Sequence, residues 1–122
     1  MSKLDTIQKL ENLNEVHTNG NIGPGGAYHS YNIYTSKKSD EQQIVAQINF
    51  QKGPRNAEKN IPGVLDVDLL EIVRHRLKCF QQGEYKNKYN EFALKHIELA
   101  LHYFNARVED RISRNVLGTN NK

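Results

Sequence analysis

Apolar residues in this chain change their spacing once. Between residues 29 and 50 they recur at every second position, and beyond residue 65 at every third or fourth. Period two marks a strand with one buried face, and period 3.6 marks an amphipathic helix. A single switch of this kind, across a turn-rich stretch, predicts an α+β chain with strands and helices segregated along the sequence. Tyr28–Thr35 and Gln43–Gln51 predict an antiparallel β-hairpin over 27–51, closed by the charged turn Lys37-Lys38-Ser39-Asp40-Glu41. His29, Tyr31 and Ile33 fall on one face, with Ile44, Ala46, Ile48 and Phe50 from the second strand. Ser30, Asn32, Gln47 and Asn49 fall on the other. A lone hairpin is marginal in water, so this one must pack on something.

The loop 52–65 is dense in turn formers, Gly53-Pro54 and Pro62-Gly63 among them. Past it, Asp68 and Glu71 have the spacing of a capping box, and Leu69, Val73, Leu77 and Phe80 form one stripe. Gly83 is placed to end this helix. A second helix is expected from about Glu84 to Ser113, with Asn90, Leu94, Ile97, Leu101, Phe104 and Val108 as its seam. Together they make an αα-hairpin over 66–114. Residues 1–22 read as a polar lead in which Leu4, Ile7 and Leu10 suit a short amphipathic helix, and the asparagines from Asn12 onward break any regular pattern. One domain is expected over 23–119, and 120–122 as a tail.

The chain has 122 residues, 37% of them hydrophobic, with a mean hydropathy of −0.76. So polar a composition implies a thin core, and a thin core invites oligomerisation. Seventeen Lys and Arg against fourteen Asp and Glu leave a net charge of +3, well short of the positive field that non-specific DNA binding uses. No apolar run is long enough to span a membrane, and the first residues lack a signal-peptide core, so a cytoplasmic location is expected. Cys79 is the single cysteine, which excludes an internal disulfide and a cysteine-rich zinc module.

Few residues suggest chemistry. Arg107, Arg111 and Arg114 stand at i, i+4 and i+7 and run beside the apolar seam of the second helix. Two readings are open for them: cations complementing the helix dipole, with Glu109 and Asp110 as partners, or guanidinium forks for phosphate. Asn90 is a polar member of an apolar seam, either a cap near Gly83 or an amide that reads a sugar or base edge. Phe80, near the helix end, is either core or a ring for stacking on a nucleobase. Gly23-Pro24-Gly25-Gly26-Ala27 can present uncovered amides, yet it lacks the lysine and the spacing of a phosphate-binding loop. His75 and Cys79 lie at i, i+4 without further ligands at matching spacing. No metal, cofactor or catalytic residue is expected, and the chain reads as a non-enzyme.

The order of motifs narrows this further. Gly23-Pro24-Gly25-Gly26-Ala27-x-His29-x-Tyr31, Ile48-x-Phe50-Gln51-x-Gly53-Pro54, Asp68-Leu69-Leu70-x-Ile72, Arg76-Leu77-x-x-Phe80-Gln81-x-Gly83, Asn90-x-x-Ala93-Leu94, Arg107-x-x-x-Arg111-x-x-Arg114 and Val116-x-Gly118-Thr119 follow one another in sequence. This series resembles the phage anti-defence sponges directed against Thoeris immunity, which share a helical hairpin with the anti-CBASS cyclic-nucleotide sponges. The resemblance implies a protein acting in the cytoplasm of an infected bacterium. It would bind and sequester the cyclic ADP-ribose isomer of Thoeris signalling, glyco-cyclic ADP-ribose, without degrading it. It also implies a symmetric homo-oligomer, a dimer or hexamer, and in some members a separate site for cyclic di- or trinucleotides. By motif position the messenger pocket would use Phe80, Asn90, Arg107 and Arg111. Gly25, Gly26, Arg55 and Arg114 are candidates for its rim or for the second site. Where the family often has a Cys-Arg pair before the asparagine, this chain has Lys88-Tyr89.

Two rival functions are compatible with the residues alone. A small nucleic-acid-binding protein would use the C-terminal arginine stripe. An interaction module would dock a host helix on the apolar seam.

Overall fold

A computed structural model describes residues 2–36, 41–53, 61–119 and 121–122. Its order is β1 (Asn14–Thr18), a 3₁₀ turn (Pro24–Gly26), β2 (Ser30–Thr35), β3 (Ile44–Asn49), α1 (Asp66–Gln81) and α2 (Lys88–Ser113). The described residues divide into two compact units, the sheet and the helical hairpin. The turn residues 37–40 and Arg55 lie outside the described residues.

The sheet is antiparallel in the order β1-β2-β3. Tyr31 opposes Ile48 and Ile33 opposes Ala46, so the expected apolar face of the hairpin is present. Phe50 extends it, its ring edge-on to Tyr31 at 5.8 Å. Ile44 departs from that face. A bulge between Ile33 and Tyr34 shifts the register, pairs Ile44 with Tyr34 and leaves it more than half exposed.

The lead segment is corrected more deeply. Asn14–Thr18, expected to be irregular, is β1, so the sheet begins before residue 23 and has three strands. Val16 is the one apolar residue in β1 and sits opposite Ile33. The expected helix over Leu4, Ile7 and Leu10 is not formed: Ile7 is fully exposed, and Lys3 bridges His17 in extended backbone. The N–H of Leu4 donates to the Val16 carbonyl at 2.8 Å, and that of Thr18 to Ser2 at 2.8 Å, which covers the β1 edge. With three-residue spacing but no second apolar surface to meet, those side chains gain nothing from a helix.

The opposite face of β1 and β2 is polar and closed. Glu15 and Asn32 are buried. Glu15 Oε1 is 3.1 Å from His17 Nε2, the His17 ring stands edge-on to Tyr34 at 5.0 Å, and Asn32 Nδ2 donates to the Tyr34 hydroxyl at 3.0 Å. Gln42 Nε2 also donates to Glu15 at 3.4 Å.

In the helical unit, α1 begins two residues before Asp68. Asp68 is its third residue, and its Oδ2 accepts the Leu65 N–H at 2.8 Å. The expected box is therefore half a box, because Leu65 has no polar side chain to return the bond. Glu71 is free for other work. The half-buried face of α1 holds Val67, Leu69, Leu70, Arg74, Leu77 and Gln81, so Leu69 and Leu77 of the expected stripe are on it, while Val73 and Phe80 are exposed. The α2 seam holds over Asn90, Leu94, Ile97 and Leu101; beyond it Phe104 and Val108 are exposed. No hydrophobic residue among those described is fully buried.

Gly63 is the tightest backbone approach in the sheet unit. A Cβ there would lie 2.6 Å from Asn49 O, Gln51 N and Phe50 C, where Val64 and β3 exchange backbone hydrogen bonds. Gly63→Ala should therefore cost about 1–3 kcal/mol, read as a lower urea midpoint at unchanged slope.

Candidate functional site

The helical hairpin is fastened at its turn. Gln81 Nε2 donates to the Asn87 carbonyl at 3.1 Å, and the Asn87 N–H donates back to Gln81 Oε1 at 3.1 Å. The Asn87 side chain caps α2 by accepting the Asn90 N–H at 2.8 Å. The second helix thus starts at Lys88 rather than Glu84, since an asparagine in extended backbone with a free acceptor is a better start than the residue after Gly83. Asn90 is in the first helical turn, half-buried, and its side-chain amide has no hydrogen-bond partner among the described residues. Phe80 is the last but one residue of α1, at the same end. It is 38% exposed, and the Arg76 guanidinium lies 5.5 Å from its ring centroid. A ring and an unspent amide therefore mark the turn end.

The other end carries the cations. A groove of about 610 Å³ opens between the start of α1 and the second half of α2, with Val67, Leu101, Phe104 and Val108 among its walls and Arg107, His102 and Asn105 beside them. Arg74 also lines it but is committed: its Nε donates to Glu98 at 2.8 Å and its Nη1 to Glu71 at 3.3 Å. The hydrogen bond to Glu98, more than that to Glu71, raises its pKa and keeps it charged. Arg107 has no carboxylate partner among the described residues and is exposed, so it is the groove's available cation.

Arg111 and Arg114 are placed differently. Arg111 is buried at 7% exposure, and its guanidinium donates to the carbonyls of Asn121 at 2.7 Å and of Val116 and Thr119 at 3.0 Å. Arg114 pairs with Asp110 at 3.0 Å and donates to the Lys122 carbonyl. The stripe is not a solvent-facing row of three cations, which removes the feature that a nucleic-acid-binding reading relied on.

One helical residue rises about 1.5 Å, so Asn90 and Arg107 stand about 26 Å apart along α2, and Asn90 and Arg111 about 32 Å. Phe80 and Asn90 lie at the turn end of the hairpin, and Arg107 and Arg111 lie one turn apart toward the other end of α2. The structure does not bring the two pairs together within one chain.

In the sheet unit, Gly25 and Gly26 have φ of 74° and 78°, and an added Cβ at either would meet nothing within 4 Å. Their backbone is open on one side. Among the described residues no cluster of His, Cys, Asp or Glu could hold a metal ion, and no helix is long and apolar enough to cross a membrane. The sequence reading missed the Gln81–Asn87 clasp and the carbonyl set around Arg111. An amide on each side of Gly83 was the available signal for the first.

Residues 42–109 match the family described as Acb2/Tad1, hairpin domain. The chain belongs to this family. The matched stretch runs from β3 through most of α2 and includes Phe80, Asn90 and Arg107; Gly25, Gly26, Arg111 and Arg114 lie outside it. The chain is also similar to "Thoeris anti-defense 1" of Bacillus phage SBSphiJ7, 38% identical over 78 residues, which is 64% of this chain and 54% of that relative. The match thus spans about half the length of the curated relative. The hairpin that defines the family depends here on the α2 cap, so Asn87→Ala should destabilise the helical unit by about 1 kcal/mol, measurable by thermal and urea denaturation.

Proposed function

We propose that the chain is a phage anti-defence sponge that binds glyco-cyclic ADP-ribose, the messenger of Thoeris immunity, and holds it without degrading it. The observation that carries this reading is the 38% identity over 78 residues to a Thoeris anti-defence protein. The side chains suit such a ligand: guanidinium groups for its two phosphates, a ring for the adenine and an amide for a ribose or base edge. A sponge needs an affinity near nanomolar, about −12 kcal/mol. A ligand of roughly 35 heavy atoms at about −0.3 kcal/mol each supplies about −10, and charge-assisted bonds strengthen it.

The separation along α2 adds a condition. No single messenger reaches from Asn90 to Arg107 of one chain, so the pocket is composite. Phe80 and Asn90 of one copy meet Arg107 and Arg111 of another in a symmetric dimer or hexamer. Half-exposed Phe92 and Leu99, two turns apart on one side of α2, support assembly, because a helix that exposes such apolar surface has a face left to cover. Gly25 and Gly26, with Arg114 and Arg55, remain the candidates for a pocket rim or a separate cyclic di- or trinucleotide site.

Calorimetry with glyco-cyclic ADP-ribose should give tight binding, and heat denaturation of the complex should return the ligand chemically unchanged. Recovery of an altered product would make the protein an enzyme. Arg107→Ala should weaken binding about 10- to 100-fold, the loss of one charge-assisted contact. Phe80→Ala should weaken it to a similar degree through lost stacking. Mixing the two weakened variants and allowing subunits to exchange should restore full affinity at about a quarter of the binding sites in a two-site dimer, because half the sites of the mixed dimers are intact. A pocket contained in one chain would give no recovery.

A further inference from the structure

The end of α2 is closed in a way that bears on Arg111. Asn115 adopts φ of 60°, the Asn115 N–H donates to Ile112 at 2.9 Å, and the Val116 N–H donates to Arg111 at 2.9 Å. This is a Schellman closure, and it turns the chain back over the helix end. Gly118, at φ of 79°, turns it again. Thr119 then fastens the turn, its hydroxyl and its N–H both donating to the Val116 carbonyl at 2.6 and 3.1 Å. Three carbonyls are thereby aimed at the Arg111 guanidinium: Asn121 on Nη1, and Val116 and Thr119 on Nη2.

A guanidinium grips a phosphate by two parallel N–H bonds from one edge. It has two such edges, Nε with Nη2 and Nη1 with Nη2, and both need a proton of Nη2. Both Nη2 protons are already donated to carbonyls. We propose that the C-terminal turn is an internal occupant of Arg111 and must release Nη2 before a phosphoryl group is gripped, so that turn closure and messenger capture compete. This rests on the reading above that Arg111 contacts the messenger. The carbonyls give a buried cation the hydrogen bonds it would otherwise lack, which keeps the free protein closed. A phosphate oxygen is charged and forms the stronger bond, so it displaces them. Apparent affinity is then reduced by the fraction of molecules in which the turn is shut.

Gly118→Val in the 122-residue chain tests this, because a β-branched residue resists positive φ while the Schellman closure is left in place. Phenylglyoxal labelling, read arginine by arginine by peptide mass spectrometry, should rise several-fold at Arg111 and stay level at Arg107. Affinity for glyco-cyclic ADP-ribose should tighten about three- to tenfold, the range for a turn closed in most molecules. In the unaltered chain, the Thr119 amide should exchange with solvent faster when the messenger is bound. Unchanged labelling, weaker binding by the variant, or a Thr119 amide more protected in the complex would each overturn the competition. Equal affinity of the two proteins would do the same. Absence of binding by both would overturn the sponge reading itself, and the competition with it.

Discussion

Helix α2 is a rod of 26 residues, and the geometry of the proposed site depends on its length. At about 1.5 Å per residue it is about 39 Å long, and its interior has no proline or glycine at which to bend. The Asn87 cap fixes where it starts, and the Gln81–Asn87 clasp fixes how α1 meets it. Phe80 and Asn90 are held at one end and the arginines at the other. No rotamer change closes a gap of that size. On the proposed reading, a second rod would have to bring the two ends of the site together, which would tie messenger capture to assembly.

The same rod is poorly covered. In the hairpin, Leu70, Leu77, Leu94, Ile97 and Leu101 meet only to half-burial, while Phe92, Leu99 and Ile112 stay in water. Two helices bury one stripe each, and α2 carries apolar residues on more than one. Arg74 sits within the contact face and is satisfied by Glu71 and Glu98, so charge as well as apolar contact sets the pairing of the helices at the groove.

Much of this was legible in the sequence. The change of period located the sheet and the helices, and the alternation through Tyr31, Ile33, Ala46 and Ile48 predicted the correct face. What escaped was structure stabilised by polar contacts. Strand β1 contains one apolar residue, so no periodicity betrays it; pairing with β2 and the bonds of Glu15 and His17 make it a strand. Ile44 was misplaced by a bulge that no local signal marks. The α1 stripe kept Leu69 and Leu77 but lost Val73 and Phe80, because Arg74 and Gln81, both polar, take inward positions in their place. For the candidate site, Phe80, Asn90 and Arg107 rest on motif position, and the structure adds where on the hairpin each one lies. The burial of Arg111 was not, because it depends on backbone carbonyls that any sequence would carry.

The closed polar face of β1 and β2 acts on the alignment of the strands. Glu15 opposes Tyr34 and Val16 opposes Ile33. Sliding β1 by one residue would exchange the faces, setting a carboxylate against Ile33 and stranding Asn32 and Tyr34 beside a valine. An apolar strand tolerates such slippage at modest cost; one that carries a buried carboxylate does not. With a single valine to recommend its position, β1 is thus kept in step by the penalty for every neighbouring alignment.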